Sequence, residues 1–204
     1  MEHAKSILMT ILRNKQTTID QFRATAHQLA LIMAQEATNF IPTSTHTITT
    51  PLNAPFTGAC WTQPITLIPI LRSGLALLPA FLQYFPHANI GVVGLKRDEA
   101  TAIAHWYYKN IPSIPAKSTV IILDPMIATG GSALATLDML ANLKITQAQI
   151  IFVGIISAQD GITAIKNSYP DIKIITADCD QQLNQAKYIV PGLGDFGDRY
   201  FGTE

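Results

Sequence analysis

The chain has 204 residues, carries 14 basic and 14 acidic side chains, and is 48% apolar but only 14% charged. That composition excludes a disordered chain, which needs low hydrophobicity and high charge, and the length suits one domain of ordinary size. The cancelling charges argue against nucleic acid as a main partner, and the longest apolar stretch, 66–82, is cut by Arg72 and so does not read as a membrane span.

Cys60 and Cys179 form no CxxC pair, which suits a reducing, cytoplasmic setting. In chain order, the apolar run at 7–12 is short for a signal-peptide core and is soon followed by Arg13 and Lys15. Thr18 and Gln21 have the spacing of a capping box. Phe22, Ala26, Leu29, Ala30, Met33 and Ala37 then recur at helical spacing, predicting an amphipathic helix over 18–37. Residues 1–40 therefore read as a helical amino-terminal segment. The Pro- and Thr-rich stretch 41–64 predicts a short strand or hairpin between loops. Next come a strand at 66–71, a helix at 74–85 kinked at Pro79, a strand at 89–95 and an aromatic strand at 105–108. A strand at 119–123, a helix at 132–143, a strand at 150–156, a helix at 161–168 and a strand at 172–176 complete the alternation. Apolar strands alternating with helices predict an α/β fold, an open parallel sheet with helices on both faces. The polar, glycine-rich tail 178–204 lacks periodicity and reads as a functional loop of a single 1–204 domain.

The strongest local signal runs from a buried strand into Asp124-Pro125-Met126-Ile127-Ala128-Thr129-Gly130-Gly131-Ser132 and then a helix. Glycines let backbone N–H groups approach an anion without a Cβ in the way. The helix start adds unpaired N–H groups and a favourable dipole, and Thr129 and Ser132 add hydroxyls. A phosphate fits such a loop, whereas Asp124 would repel it and suits sugar hydroxyls instead. This loop carries neither GxxxxGK[ST] nor GxGxxG, which leaves a P-loop NTPase and a dinucleotide dehydrogenase poorly supported there. On local sequence alone, a plain glycine-rich turn with a capping hydroxyl is the alternative.

Arg72 interrupts an apolar strand–turn–helix, with Gly74 two residues on. It either reaches water at a strand end or presents a planar fork to an anion. The run Lys96-Arg97-Asp98-Glu99 reads locally as a solvated turn. His3, His27, His46, His87 and His105 show no metal-ligand spacing.

The Asp124–Ser132 segment resembles that of uracil phosphoribosyltransferases. Four further segments carry the same resemblance in the same order: 69–74, 92–99, 188–195 and 201–203. The resemblance implies a phosphoribosyltransferase-type sheet with a small carboxy-terminal, base-binding hood. It implies that residues 124–132 and Asp195 hold phosphoribosyl diphosphate (PRPP), with Arg72 and Arg97 on its diphosphate. Ile189, Gly194, Asp195 and Phe196 would line the uracil site. Arg72, Arg97, Asp124 and Asp195 would form the catalytic set. Mg²⁺ is expected mainly through the substrate phosphates, with no dedicated protein cage. The implied reaction makes UMP and diphosphate from uracil and PRPP, as in pyrimidine salvage. A homodimer or larger homo-oligomer is implied, as is GTP as a candidate effector, with neither nucleic acid nor membrane as partner. This sequence departs from the family pattern at Phe196, where relatives usually carry a small residue, and at Asn14 and Asp98. The rivals are an enzyme of this fold acting on another base, a PRPP- or nucleotide-sensing regulator, and a generic α/β domain.

Overall fold

The computed structural model describes residues 2–97 and 104–203. Two helices open the chain, α1 (Glu2–Arg13) and α2 (Ile19–Thr38). Thr18 is the N-cap of α2, but its hydroxyl donates to the Asp20 carboxylate rather than capping the helix, so the expected box with Gln21 does not form. Strands β1 (Thr43–Thr49) and β2 (Pro55–Trp61) pair antiparallel as the expected hairpin.

The central sheet is built from β3 (Ile65–Leu71), β4 (Asn89–Ile90), β5 (Val92–Arg97), β6 (Ala104–Asn110), β7 (Thr119–Leu123), β8 (Met126–Ile127), β9 (Ile150–Ala158) and β10 (Lys173–Asp180). Its main path is β10-β9-β7-β3-β5-β6, with β4 beside β3 and β8 beside β9. All these pairs are parallel except β5 with β6, which is antiparallel. The sheet is thus the expected parallel one, with a single antiparallel strand at its edge. The connection 98–103 is shorter than the dozen or more residues a parallel crossover needs.

Helices α3 (Leu78–Tyr84), α4 (Gly131–Asn142) and α5 (Gln159–Ser168) follow their strands. Pro79 lies in the first turn of α3, after a short 3-10 turn at Ser73–Ala76. There its missing N–H removes no helical bond, so it starts the helix instead of kinking it. The sheet is covered on both faces, as the apolar strands require. Ile121 and Leu123 of β7 pack with α1, α2 and α3. Val120 and Ile122, one residue out of phase, pack with α4 and α5.

The tail is more regular than its composition suggested. It holds β11 (Gln182–Leu183), β12 (Ile189–Val190) and α6 (Phe196–Phe201). Among the described residues no helix is long and apolar enough to cross a membrane.

Candidate functional site

Parallel strands bring their carboxyl ends to one edge of the sheet, where the loops that follow them converge. A cleft of about 650 Å³ opens there. One wall is the turn after β3, with Arg72 and Ser73; the floor is Asp124, Met126, Ile127 and Ala128 after β7. The start of α4 contributes Gly130, Gly131 and Ser132, and the tail closes the cleft with Ala186–Ile189, Asp195 and Gly197.

Close backbone approach sets this geometry. A Cβ on Gly74 would lie 2.3 Å from the Leu123 carbonyl oxygen, so only glycine lets the Arg72 turn sit on the end of β7. Ser73 Oγ donates to Asp124 Oδ1 at 3.5 Å, linking the two loops. Asp124 is nearly buried, and its N–H donates to the Val153 carbonyl at 3.0 Å.

At the start of α4, Gly130 has φ +81 and caps the helix in the left-handed region. Gly131 differs: a Cβ there would meet only Thr129 Oγ1 at 3.7 Å. The protein itself does not demand a glycine at 131. The space in front of it faces the cleft, where the first N–H groups of a twelve-residue helix favour an anion. Arg72 lies on the same cleft, over the Phe201 ring at 5.6 Å and 3.4 Å from Asp198 Oδ1. Its side chain is 57% exposed, so that pair is weak and leaves the guanidinium able to turn to a ligand.

Of the residues singled out from sequence, Arg72, Asp124, Met126, Ile127, Ala128, Gly130, Gly131, Ser132, Ile189 and Asp195 meet on this cleft. Pro125 does not reach it; its carbonyl accepts the N–H groups of Ile155 and Ile156, pinning the loop to β9. Thr129 is half-buried and is not part of the cleft lining, and Gly194, also outside the lining, turns at φ +82 next to Asp195. Phe196 is fully buried, its ring 5.2 Å from that of Phe22 and 5.7 Å from that of Tyr200. The ring therefore faces the core; Phe196 is not part of the cleft lining, and its N–H donates to Met126 Sδ at 3.4 Å. Arg97 closes β5; its side chain, with Asp98 and Glu99, lies outside the described residues.

Sequence reasoning gave no role to Ser73, Lys187, Tyr188 and Gly197 on the cleft, although Ser73 and Tyr188 lie inside segments it had marked and Lys187 and Gly197 lie just outside one. It also passed over Gly161, where a Cβ would lie 2.5 Å from the Ala128 carbonyl oxygen. Gly161 stands as the first residue of the expected helix 161–168, a position that gives no local signal, and here it lets α5 pack against the 124–132 loop.

The purine phosphoribosyltransferase of Pyrococcus horikoshii shares this fold, with a TM-score of 0.50 and 10% identity over 77% of this chain and 81% of that one. The AQ2163 protein of Aquifex aeolicus superposes with a TM-score of 0.90 at 30% identity, covering 98% of this chain and 95% of that one. The architecture is that of a phosphoribosyltransferase. Uracil phosphoribosyltransferase of Dictyoglomus turgidum is 41% identical over 96% of this chain and 94% of its own length. That of Levilactobacillus brevis is 39% identical over 96% and 93%. The uracil phosphoribosyltransferase family profile matches residues 2–203, and the chain belongs to that family.

Proposed function

We infer that the protein transfers the phosphoribosyl group of PRPP to uracil, giving UMP and diphosphate. The observation that carries this reading is the convergence of the Arg72 turn, Asp124, the Gly130–Gly131 loop and Asp195 on one cleft. The C1′–O bond to diphosphate breaks, the bond from uracil N1 to C1′ forms, and the N1 proton is released. C1′ gains oxocarbenium character on the way, so the protein's task is orientation and stabilisation of the leaving charge rather than covalent attack.

In this account the amides of Gly130, Gly131 and Ser132 bind the 5′-phosphate and Asp124 accepts hydrogen bonds from the ribose hydroxyls. Thr129, Pro125, Met126, Ile127 and Ala128 shape that loop. Arg72 and Arg97 take the diphosphate. Uracil offers two carbonyl acceptors and one N3–H donor, which the backbone of Ile189, Gly194, Asp195 and Phe196 can match; a base with another edge leaves buried polar groups unpaired.

Among the described residues no three His, Cys, Asp or Glu side chains gather as a metal cage. The cleft does offer hard oxygen donors, Asp124 and Asp195, which suit Mg²⁺ carried mainly by substrate phosphates. When bound, Mg²⁺ supplies charge neutralisation on the diphosphate. GTP enters as a candidate effector through the family resemblance, tested by the rate of UMP formation with and without it. A reducing, cytoplasmic compartment suits the free thiols of Cys60 and Cys179. A homodimer or larger homo-oligomer is supported by the apolar side chains left exposed on the β1–β2 hairpin, Ile48, Leu52, Phe56 and Trp61.

The test is UMP formation from labelled uracil, PRPP and Mg²⁺, with other nucleobases in parallel. Wild type is expected to use uracil, and Asp124→Ala to lose about 100-fold or more in kcat/KM. An Asp124→Ala protein as active as wild type removes Asp124 from its role, and release of diphosphate with another base but not uracil overturns the substrate.

A further inference from the structure

Behind the base-facing wall of the cleft, two guanidinium groups and one carboxylate close on the backbone of residues 192 and 193. Asp180, at the end of β10, is 7% exposed. Its Oδ2 accepts the Gly192 N–H at 2.9 Å and Arg13 Nη1 at 2.8 Å, while Oδ1 accepts Arg13 Nη2 at 2.8 Å. Arg13 Nη1 also donates to the Gly192 carbonyl at 2.9 Å, and Nη2 to Asp178 Oδ2 at 2.8 Å. Both polar groups of Gly192 are thus taken by one ion pair. On the adjacent residue, Arg199 Nη1 donates to the Leu193 carbonyl at 2.6 Å and also to that of Leu12, while Nη2 reaches the Asn14 carbonyl at 2.8 Å.

We propose that Arg13 and Asp180 are positioning residues that fix the 189–195 segment, and through it the fit of the base, from outside the cleft. The inference rests on the functional reading given above. The reasoning is one of rigidity. Ile189 and Asp195 line the cleft, and between them the chain runs through Pro191, Gly192, Leu193 and Gly194. Glycines have no side chain with which to lock themselves, and a backbone-read base tolerates little displacement. Gly192 has φ +61, and a Cβ there would lie 2.1 Å from the Ile189 carbonyl oxygen, so the turn is already at closest approach. Its hold must come from hydrogen bonds to the backbone. Arg13 suits the task because a planar fork meets both carboxylate oxygens of Asp180 and a carbonyl together. The amino-terminal helix α1, which contributes nothing to the lining of the cleft, thereby becomes part of the base site.

Removing Arg13 leaves the shielded Asp180 carboxylate without its counterpart, and Asp180→Asn leaves Arg13 paired with Asp178 alone and without its charged hold beside Gly192. Steady-state kinetics with uracil and PRPP varied in turn, on Arg13→Ala, Asp180→Asn and the milder Arg13→Lys, read the consequence. The expected result is a uracil KM raised about 10-fold or more in the first two, with the PRPP KM within about 2-fold of wild type and Arg13→Lys between. Amide hydrogen exchange of 189–195, measured on the same proteins without substrate, is expected to quicken while β3 and β7 stay protected. A fall in kcat with both KM values unchanged, an equal rise in both, or unchanged exchange at 189–195 overturns the proposal. A wild type that makes no UMP refutes the functional reading by itself, and the exchange measurement still decides whether Arg13 and Asp180 hold the segment.

Discussion

Two adjacent glycines separate a folding requirement from a binding one. Gly130 has φ +81, and a Cβ there would lie 3.0 Å from the Gly161 carbonyl oxygen. Gly130→Ala is therefore expected to cost about 1–2 kcal/mol of stability, read from the urea midpoint. Gly131→Ala meets no protein atom closer than 3.7 Å and is expected to change stability by less than about 0.5 kcal/mol while raising the PRPP KM. Equal losses of stability in the two would remove the reason for a ligand at 131. Phe196 makes the opposite case. Its ring lies between those of Phe22 and Tyr200, so Phe196→Ala is expected to lose about 3–5 kcal/mol of stability with little effect on uracil KM at temperatures where it is folded. Sequence alone could mark Phe196 as a departure from the family pattern but not orient it, because Phe22 lies far away in the chain. At Asp180, burial pushes the carboxyl pKa up, but the hydrogen bonds from Arg13 and the Gly192 N–H outweigh it, and the net shift is downward. A carboxylate lowered in the folded state stabilises above its unfolded value, near about 3.9, and that contribution is lost as pH falls through the folded value. Asp180→Asn should therefore flatten the decline in thermal midpoint below about pH 4; a parallel decline in variant and wild type contradicts this.

Elements were legible in proportion to how much of their identity is local. Strand β7 is five consecutive buried residues, and its bounds match the apolar run. Strand β10 runs on to Asp180, past the expected end at 176, because its polar end pairs with β9 as far as Asp180 with Ala158. Helix α6 was not anticipated, since six residues are too few to show a period. Its signals were at its ends: Asp195 accepts the Asp198 N–H at 3.0 Å as N-cap, and Gly202 closes it at φ +72. The stretch 41–64 was expected to hold a short strand or a hairpin, and it forms the hairpin. Leu52 at its turn is 90% exposed and Phe56 57%, while Trp61 packs on Phe85 at 5.3 Å and ties its base to the body. If this arm joins copies of the chain, Leu52→Asp with Phe56→Asp should reduce the mass seen by light scattering toward that of one 22.2 kDa chain. An unchanged oligomeric mass puts the interface elsewhere.

At the scale of the molecule, alternating strands and helices sufficed to predict a two-faced sheet, and the antiparallel β6 follows from the short 98–103 connection. What no local window held is the convergence itself. Arg72 follows β3 and Asp124 follows β7 at one edge of the parallel order, whereas Asp195 comes from the tail after β12, and only the folded chain brings the three to one cleft. The hold on the tail by Arg13 and Arg199 was equally invisible, since it joins residues from opposite ends of the chain through backbone atoms. The most direct measurement is a crystal structure of the protein soaked with UMP. The account predicts the 5′-phosphate within hydrogen-bond distance of the Gly130, Gly131 and Ser132 amides, the ribose hydroxyls on Asp124, and the uracil edge against the backbone of 194–196. A phosphate bound away from that loop, or a uracil ring outside the wall formed by Ile189 and Asp195, would contradict it.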